Sequence, residues 1–356
     1  MPRRVSRHEF VQPLPQRNGI DPVALLLPLA GEDVASAAAA QPPRPTETFG
    51  ARTVFEYLVN RFYPHDPAII AARFEAHEVK DATGADVAPT APLEGQKIWY
   101  YRELGNERKV PFDMPVLYED EWVLAIDKPH FLPTTPNGSF VAHTALAQLR
   151  VRENNPDLIP IHRLDRPTAG VVLFAKTKDA RAPFQLMFQN RRVGKSYEAV
   201  AAAVPELEPG ASVQVNTRID KTHGQLQVHQ LSQEEASAQG LETNARSIVT
   251  CLKIFDLPAG ILPERSTQNP ALPLPSGHMA HYKLDPITGK THQLRAHLWA
   301  LGAPIAGDVL YPYALPIADD EPALPLQLLA RTVTFTHPIT GEDITITSHR
   351  KLALAP

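Results

Sequence analysis

Hydrophobic positions along the chain switch between a helical and a strand period, and each switch marks an element. In "RTVFEYLVNRF", Val54, Leu58 and Phe62 recur at helical spacing and predict a helix soon after Gly50. "HEVKDATGADVAP" reads as two short strands about a Thr-Gly turn, and "KIWYYRE" as a further strand. From Pro111 onward, "VLYEDEWVLAIDKP" predicts a hairpin, Val116–Tyr118 and Trp122–Ile126 about an acidic turn. "HTALAQLRVRE" predicts a helix, and "VVLFA" a strand apolar on both faces and therefore internal. "DARAPFQLMFQNRRV" gathers Phe184, Met187 and Phe188 on one helical face, and "KSYEAVAAAV" returns as a strand. "HMAHYKLDPITG" predicts a strand and turn. In "KTHQLRAHLWALG", a helix turns Leu294, Leu298 and Leu301 inward and ends before Gly302. "RTVTFTHPITGEDITITS" alternates on both sides of a turn, as a hairpin does. The least patterned segment is 205–277, with a proline-rich excursion over 257–276. Hairpins mixed with helices predict an α+β fold rather than a regular βαβ array.

Composition adds boundaries to this pattern. The chain has 356 residues, enough for two or three domains. Its 36 prolines are about double the ordinary share, so long connections are expected. Residues 1–48 end in "ASAAAAQPPRPTET" and read as an N-terminal arm and linker; a small unit follows over 49–108 and a larger one over 109–356. The net charge of −4 excludes global basicity, so a nucleic acid partner would need a local basic patch. Cys251 is the single cysteine, which excludes disulfides within the chain and cysteine-cluster metal sites, and a reducing cytoplasm is expected. No apolar run is long enough to span a membrane. "VALLLPLA" begins too late, after Asp21, and is broken by Pro28, unlike a secretion signal.

Several motifs invite chemistry and fail on inspection. "ITGKTHQ" contains Gly-Lys-Thr, but Leu284 stands where a phosphate loop needs its first glycine. "HRLD" is faintly like a kinase catalytic loop, but Leu164 intrudes and no Asp-Phe-Gly follows. His292 and His297 fall on different sides of a helix, more like ordinary polar contacts than metal ligands.

Asp165 is different. It stands between Arg163 and Arg166, just before a Pro-Thr-Ala-Gly turn that feeds the internal strand. A surface ion pair is the common fate of such an acid. A strand mouth with small residues Ala169 and Gly170, open to close approach, argues for function instead. The surroundings are locally basic: Arg163, Arg166, Lys176, Lys178, Arg181, Arg191, Arg192 and Lys195 against Asp165 and Asp179. A polyanion could lie there.

The chain resembles the RNA pseudouridine synthases of the RluA type. "HRLDRPTAG" resembles the family's catalytic motif, with Ala169 for the usual serine; "KSYEAV" resembles its Lys-x-Tyr-x-Ala motif. "TGKTHQLRAHLWALGAPIAGDVLY" resembles the Thr-Gly-Arg-x-His-Gln-Ile-Arg block and its Gly-Asp-x-x-Tyr, with Lys290 for arginine. "VLYEDEWVLAIDKP" matches the opening hairpin and its Lys-Pro. Leu329 departs from the usual histidine, which suggests different packing or a different edge to the RNA groove. The resemblance implies the pseudouridine synthase catalytic fold, a mixed and mostly antiparallel sheet with flanking helices. It also implies that 49–108 is a small RNA-binding domain like the alpha-L type.

By resemblance, Asp165 is the reacting carboxylate, Arg295 its cationic partner, and Tyr197 stacks on the base and could also handle a ring proton. Arg163 holds the flipped nucleotide or its vacated space, Leu294 lines the pocket, and His162, Lys195 and His292 contact substrate. The implied reaction turns uridine into pseudouridine without redox or hydrolysis, so neither cofactor nor metal is expected. The implied partner is RNA, ribosomal large-subunit first and transfer RNA second; no protein partner is evident and a monomer is expected. Two other classes stay open. A non-catalytic RNA-binding homologue would not need Asp165, and a nucleoside or glycoside hydrolase would need a second carboxylate.

Overall fold

The computed structural model describes residues 12–29, 48–105, 107, 109–137, 140–222, 224–257, 277–312, 314 and 324–356. The chain divides into two compact units, Met1–Glu107 and Arg108–Pro356.

The first unit holds strand β1 (Val23–Leu26), helices α1 (Val54–Phe62) and α2 (Pro67–Glu75), and strands β2 (Val79–Asp81) and β3 (Lys97–Tyr100). The strands form an antiparallel sheet in the order β1-β3-β2. Thr53 and Glu56 close a capping box at the start of α1, and Val54, Tyr57 and Leu58 turn into the core. Residues 12–29 therefore do not behave as an arm. The apolar run after Asp21 becomes β1, pairs with β3, and buries Leu27. The expected second strand after the Thr-Gly turn is only an isolated bridge, Lys80 to Asp86. There the Asp81 carboxylate accepts from the N–H groups of Thr83 and Ala85 and curls the turn.

The second unit is built on one eleven-stranded sheet. Its elements are β4 (Val116–Glu119), β5 (Val123–Lys128), α3 (Ala145–Arg152), β6 (Ile159–Pro160), β7 (Ala169–Ala175), α4 (Lys178–Gln189) and β8 (Val193–Ala202). They continue with β9 (Ser212–Asp220), β10 (His229–Ser232), α5 (Gln233–Ala238), β11 (Ala245–Phe255), β12 (Met279–Pro286), α6 (Gln293–Ala300), β13 (Leu328–Thr336) and β14 (Asp343–Thr347). The strand order is β10-β9-β11-β12-β8-β13-β7-β5-β4, with β14 on β13 and β6 on β7. Among the described residues, pairing is antiparallel except between β13 and β7, so the sheet is mixed and mostly antiparallel, an α+β arrangement.

That parallel contact depends on glycine. Gly170 sits at φ +116°, and a Cβ there would lie 2.2 Å from the Ala330 carbonyl oxygen. The small residues at this turn thus admit a second backbone strand, as their size suggested. All seven residues of β7 are buried, which makes it the internal strand behind the Asp165 turn. Leu329 is also fully buried, beside Ala169 and Val200, so its departure from histidine is a matter of core packing. The proline-rich excursion over 257–276 lies almost wholly outside the described residues.

Candidate active site

Asp165 occupies the short turn between β6 and β7, and buried groups from the β5 end of the sheet fix that turn. The Lys128 ammonium donates to the carbonyls of Pro129, Leu132 and Arg166, at 2.9, 2.7 and 3.2 Å. Thr134 Oγ1 donates to the Leu164 carbonyl and accepts from the Leu164 N–H, while His130 Nδ1 meets the Pro167 carbonyl at 2.7 Å. The Thr168 N–H donates to the Asp165 carbonyl and closes the turn. Burial pushes the Lys128 ammonium well below its ordinary pKa, and the Asp165 charge opposes that shift.

Arg295 arrives on α6, buried to 2% exposure. Its principal partner is Asp308: Nε donates to Oδ2 at 2.7 Å and Nη2 to Oδ1 at 2.5 Å. Asp308 is itself buried and accepts from the N–H groups of Leu310 and Tyr311. Nη1 of Arg295 remains for Asp165, 3.7 Å from its Oδ2. This guanidinium is oriented by one carboxylate and presented to another. His292, at φ +54° before α6, brings Nε2 to 3.8 Å from the same Asp165 oxygen. Its Nδ1 lies 3.1 Å from the Tyr311 hydroxyl, which accepts from the Val228 N–H. If that hydroxyl donates to Nδ1, the Nε2–H tautomer faces Asp165, an assignment made from the network. Burial lowers the His292 pKa, with the Asp165 charge acting against it.

These groups open onto a cleft of about 380 Å³ whose lining includes Arg163, Asp165, Lys195, Tyr197, Leu294 and Arg295. Burial, helped by the Asp165 charge, raises the Tyr197 pKa and keeps the phenol protonated. Burial and Arg191 lower the pKa of Lys195. Arg163 is exposed at the rim, whereas Leu294 is buried in the wall. The structure therefore brings together Asp165, Arg295, Tyr197, Arg163, Leu294, Lys195 and His292. His162 is outside this set. Its Nε2 accepts from the Leu173 N–H at 3.2 Å, its ring stacks on Phe188, and burial lowers its pKa to about 3. Two cations of the basic stretch are otherwise engaged, Lys176 with Glu119 and Arg181 with Asp157. His297 bonds Thr217 Oγ1 inside the core, the polar contact expected of it.

Residues 122–300 match the model of the RNA pseudouridylate synthase family. The chain belongs to that family. It is of the RluA type and an RNA pseudouridine synthase by relationship. An uncharacterized RNA pseudouridine synthase of Synechocystis is 31% identical over 74% of this chain and 81% of its own length. The dual-specificity RNA pseudouridine synthase RluA of Haemophilus influenzae is 30% identical over 65% of this chain and 91% of its own. The tRNA pseudouridine synthase C of Pasteurella multocida is 28% identical over 65% and 90%.

In this pseudouridine synthase the supporting groups escaped sequence reasoning. Asp308 and Lys128 stand inside recognisable motifs, Gly-Asp-x-x-Tyr and Lys-Pro, but a motif does not say what its side chain holds. Tyr311 closes the same Gly-Asp-x-x-Tyr motif, whereas Thr134 and His130 carried no signal of a site role. Their partners lie across the fold, and only the closed sheet brings them together.

Proposed function

We propose that this chain isomerises a uridine in structured RNA to pseudouridine, with Asp165 as the reacting carboxylate. The observation that carries this reading is the approach of Arg295 Nη1 to Asp165, under Asp308 control, at the wall of a cleft with Tyr197 and Leu294. The base leaves the anomeric carbon at one ring nitrogen, turns, and rejoins through a ring carbon. That carbon's proton is lost and the nitrogen gains one, so the product is an isomer and no outside reactant is consumed. Asp165 acts on the sugar, either as nucleophile or as base. The fixed guanidinium stabilises the carboxylate without reorganising.

A paired uridine must leave its stack to reach this cleft. Arg163, exposed at the rim, fills the space it vacates or holds the flipped nucleotide. Tyr197 stacks on the base within the cleft, Leu294 forms its apolar wall, and Lys195 and His292 complete the substrate contacts. His162 supports the turn from behind.

For the target, we favour a uridine in 23S ribosomal RNA, with transfer RNA second. The relative named for dual specificity supports keeping more than one target in view, and the relative named for tRNA supports the second. We assign RNA binding to the small unit as an alpha-L-like domain, in which Arg73 and Lys80 are paired to Glu78 and Asp86. Mapping pseudouridines in cellular RNA with and without the gene tests function and target together. Loss of one ribosomal site is the expected result; an unchanged map counts against the reading.

A further inference from the structure

The Asp165 cleft continues beyond its own rim. A second groove of about 700 Å³ shares Arg163, Lys195, Tyr197 and Lys290 with it. The far wall is the C-terminal end of α4, where Gln185 and Gln189 stand one helical turn apart. Arg191 follows at φ +57°. Phe188 lies between them in the lining, stacked on His162 at 4.5 Å and 16°.

The charge of this groove is one-sided. No Asp or Glu is among its described lining residues, and its cations are Arg163, Arg191, Lys195 and Lys290. Among the described residues none of the four is held by a carboxylate, in contrast to Lys176 and Arg181 nearby. Cations gathered without acids repel one another until a polyanion arrives. Gln185 and Gln189 are exposed, and their side-chain amides make no hydrogen bond within the described protein. The buried face of α4 is Ala180, Phe184 and Met187, so folding does not require these amides. An amide both donates and accepts, which suits the edge of an unpaired base, and an aromatic face suits stacking.

Resting on the uridine-isomerising reading above, we propose that this groove binds the unpaired nucleotides adjoining the flipped uridine, with Gln185 and Gln189 selecting among bases there. Arg191 and Lys290 take phosphates, which position the strand without reading it. The amides carry the discrimination. Sequence preference beside the target uridine is thus set by α4, outside the cleft where the bond is broken.

The test uses the full chain and in-vitro-transcribed ribosomal and transfer RNAs. A transcript that wild type modifies is remade with the nucleotides on each side of its target uridine randomised, and pseudouridine is counted by sequence. Wild type is expected to prefer particular neighbours on one side. The Gln185→Ala/Gln189→Ala double variant flattens that preference by about tenfold or more. Arg191→Ala weakens binding evenly across sequences and lowers the salt slope by about 0.7. Far-UV circular dichroism confirms that both variants fold. A double variant with the wild-type preference, or Arg191→Ala with an unchanged salt slope, overturns the proposal. If wild type modifies none of the transcripts, the isomerase reading itself fails, an outcome distinct from either.

Discussion

Asp308 holds Arg295 by two hydrogen bonds, at 2.7 and 2.5 Å, and leaves its remaining Nη1 3.7 Å from Asp165. Removing Asp308 therefore strands a buried guanidinium and frees it to rotate. Asp308→Ala is expected to destabilise the protein by about 3–5 kcal/mol, because one partner of a buried pair is lost. Urea unfolding checks this, and the surviving folded fraction should turn over RNA more slowly.

Lys128 acts on the turn rather than on substrate. Lys128→Met removes the donor shared by the Pro129, Leu132 and Arg166 carbonyls. A cost of about 1–3 kcal/mol is expected from buried acceptors left unmatched. Steady-state kinetics should show kcat falling more than KM rises, since the reacting turn shifts while the RNA-facing rim stays.

Gly170→Ala tests the close approach of β7 and β13. A methyl group would enter 2.2 Å from the Ala330 carbonyl oxygen, on a backbone at φ +116°. Overpacking and backbone strain together predict a loss of about 3 kcal/mol or more. The melting temperature reports it.

Buried histidines make stability fall with acid. His297, fully buried, has its pKa lowered to about 4 from 6.5, and burial is the cause. In the unfolded chain it takes a proton near 6.5, in the folded chain only near 4. Between those values the unfolded state binds more protons, so stability present above pH 6.5 declines as pH falls toward 4. His297 contributes roughly 3 kcal/mol to that loss. His162, lowered to about 3, acts in the same direction. Urea midpoints at pH 7.5 and pH 4.5 measure the sum.

Much of the second unit was legible in the sequence, and the reason is physical. The hairpins alternate and α4 buries one face, so β4–β5, β13–β14 and α4 follow from periodicity. β11 did not, because its buried positions include Ala245, Ser247 and Cys251, too small or polar to signal a core strand. α2 was missed because Ile70 is its one buried residue. For the site, residue pattern alone brought Asp165 to notice, and family resemblance named Arg295 and Tyr197. Neither showed Asp308 as the stronger partner of Arg295, since that choice depends on how the segment after α6 returns.

Tyr197 lines the same cleft as Asp165, its phenol kept protonated by burial and by the Asp165 charge. Tyr197→Phe keeps the ring and should lower kcat with little change in KM. Tyr197→Ala also removes the stacking face and should raise KM. Single-turnover and steady-state rates on one RNA separate the two effects.

The most direct measurement compares wild type and Asp165→Asn on the same RNA, following pseudouridine, free uracil and RNA affinity together. The expected result is pseudouridine from wild type without free uracil, and none from the variant, which still binds RNA. Undiminished pseudouridine formation by Asp165→Asn would contradict the assignment of Asp165, and free uracil as the main wild-type product would contradict isomerisation.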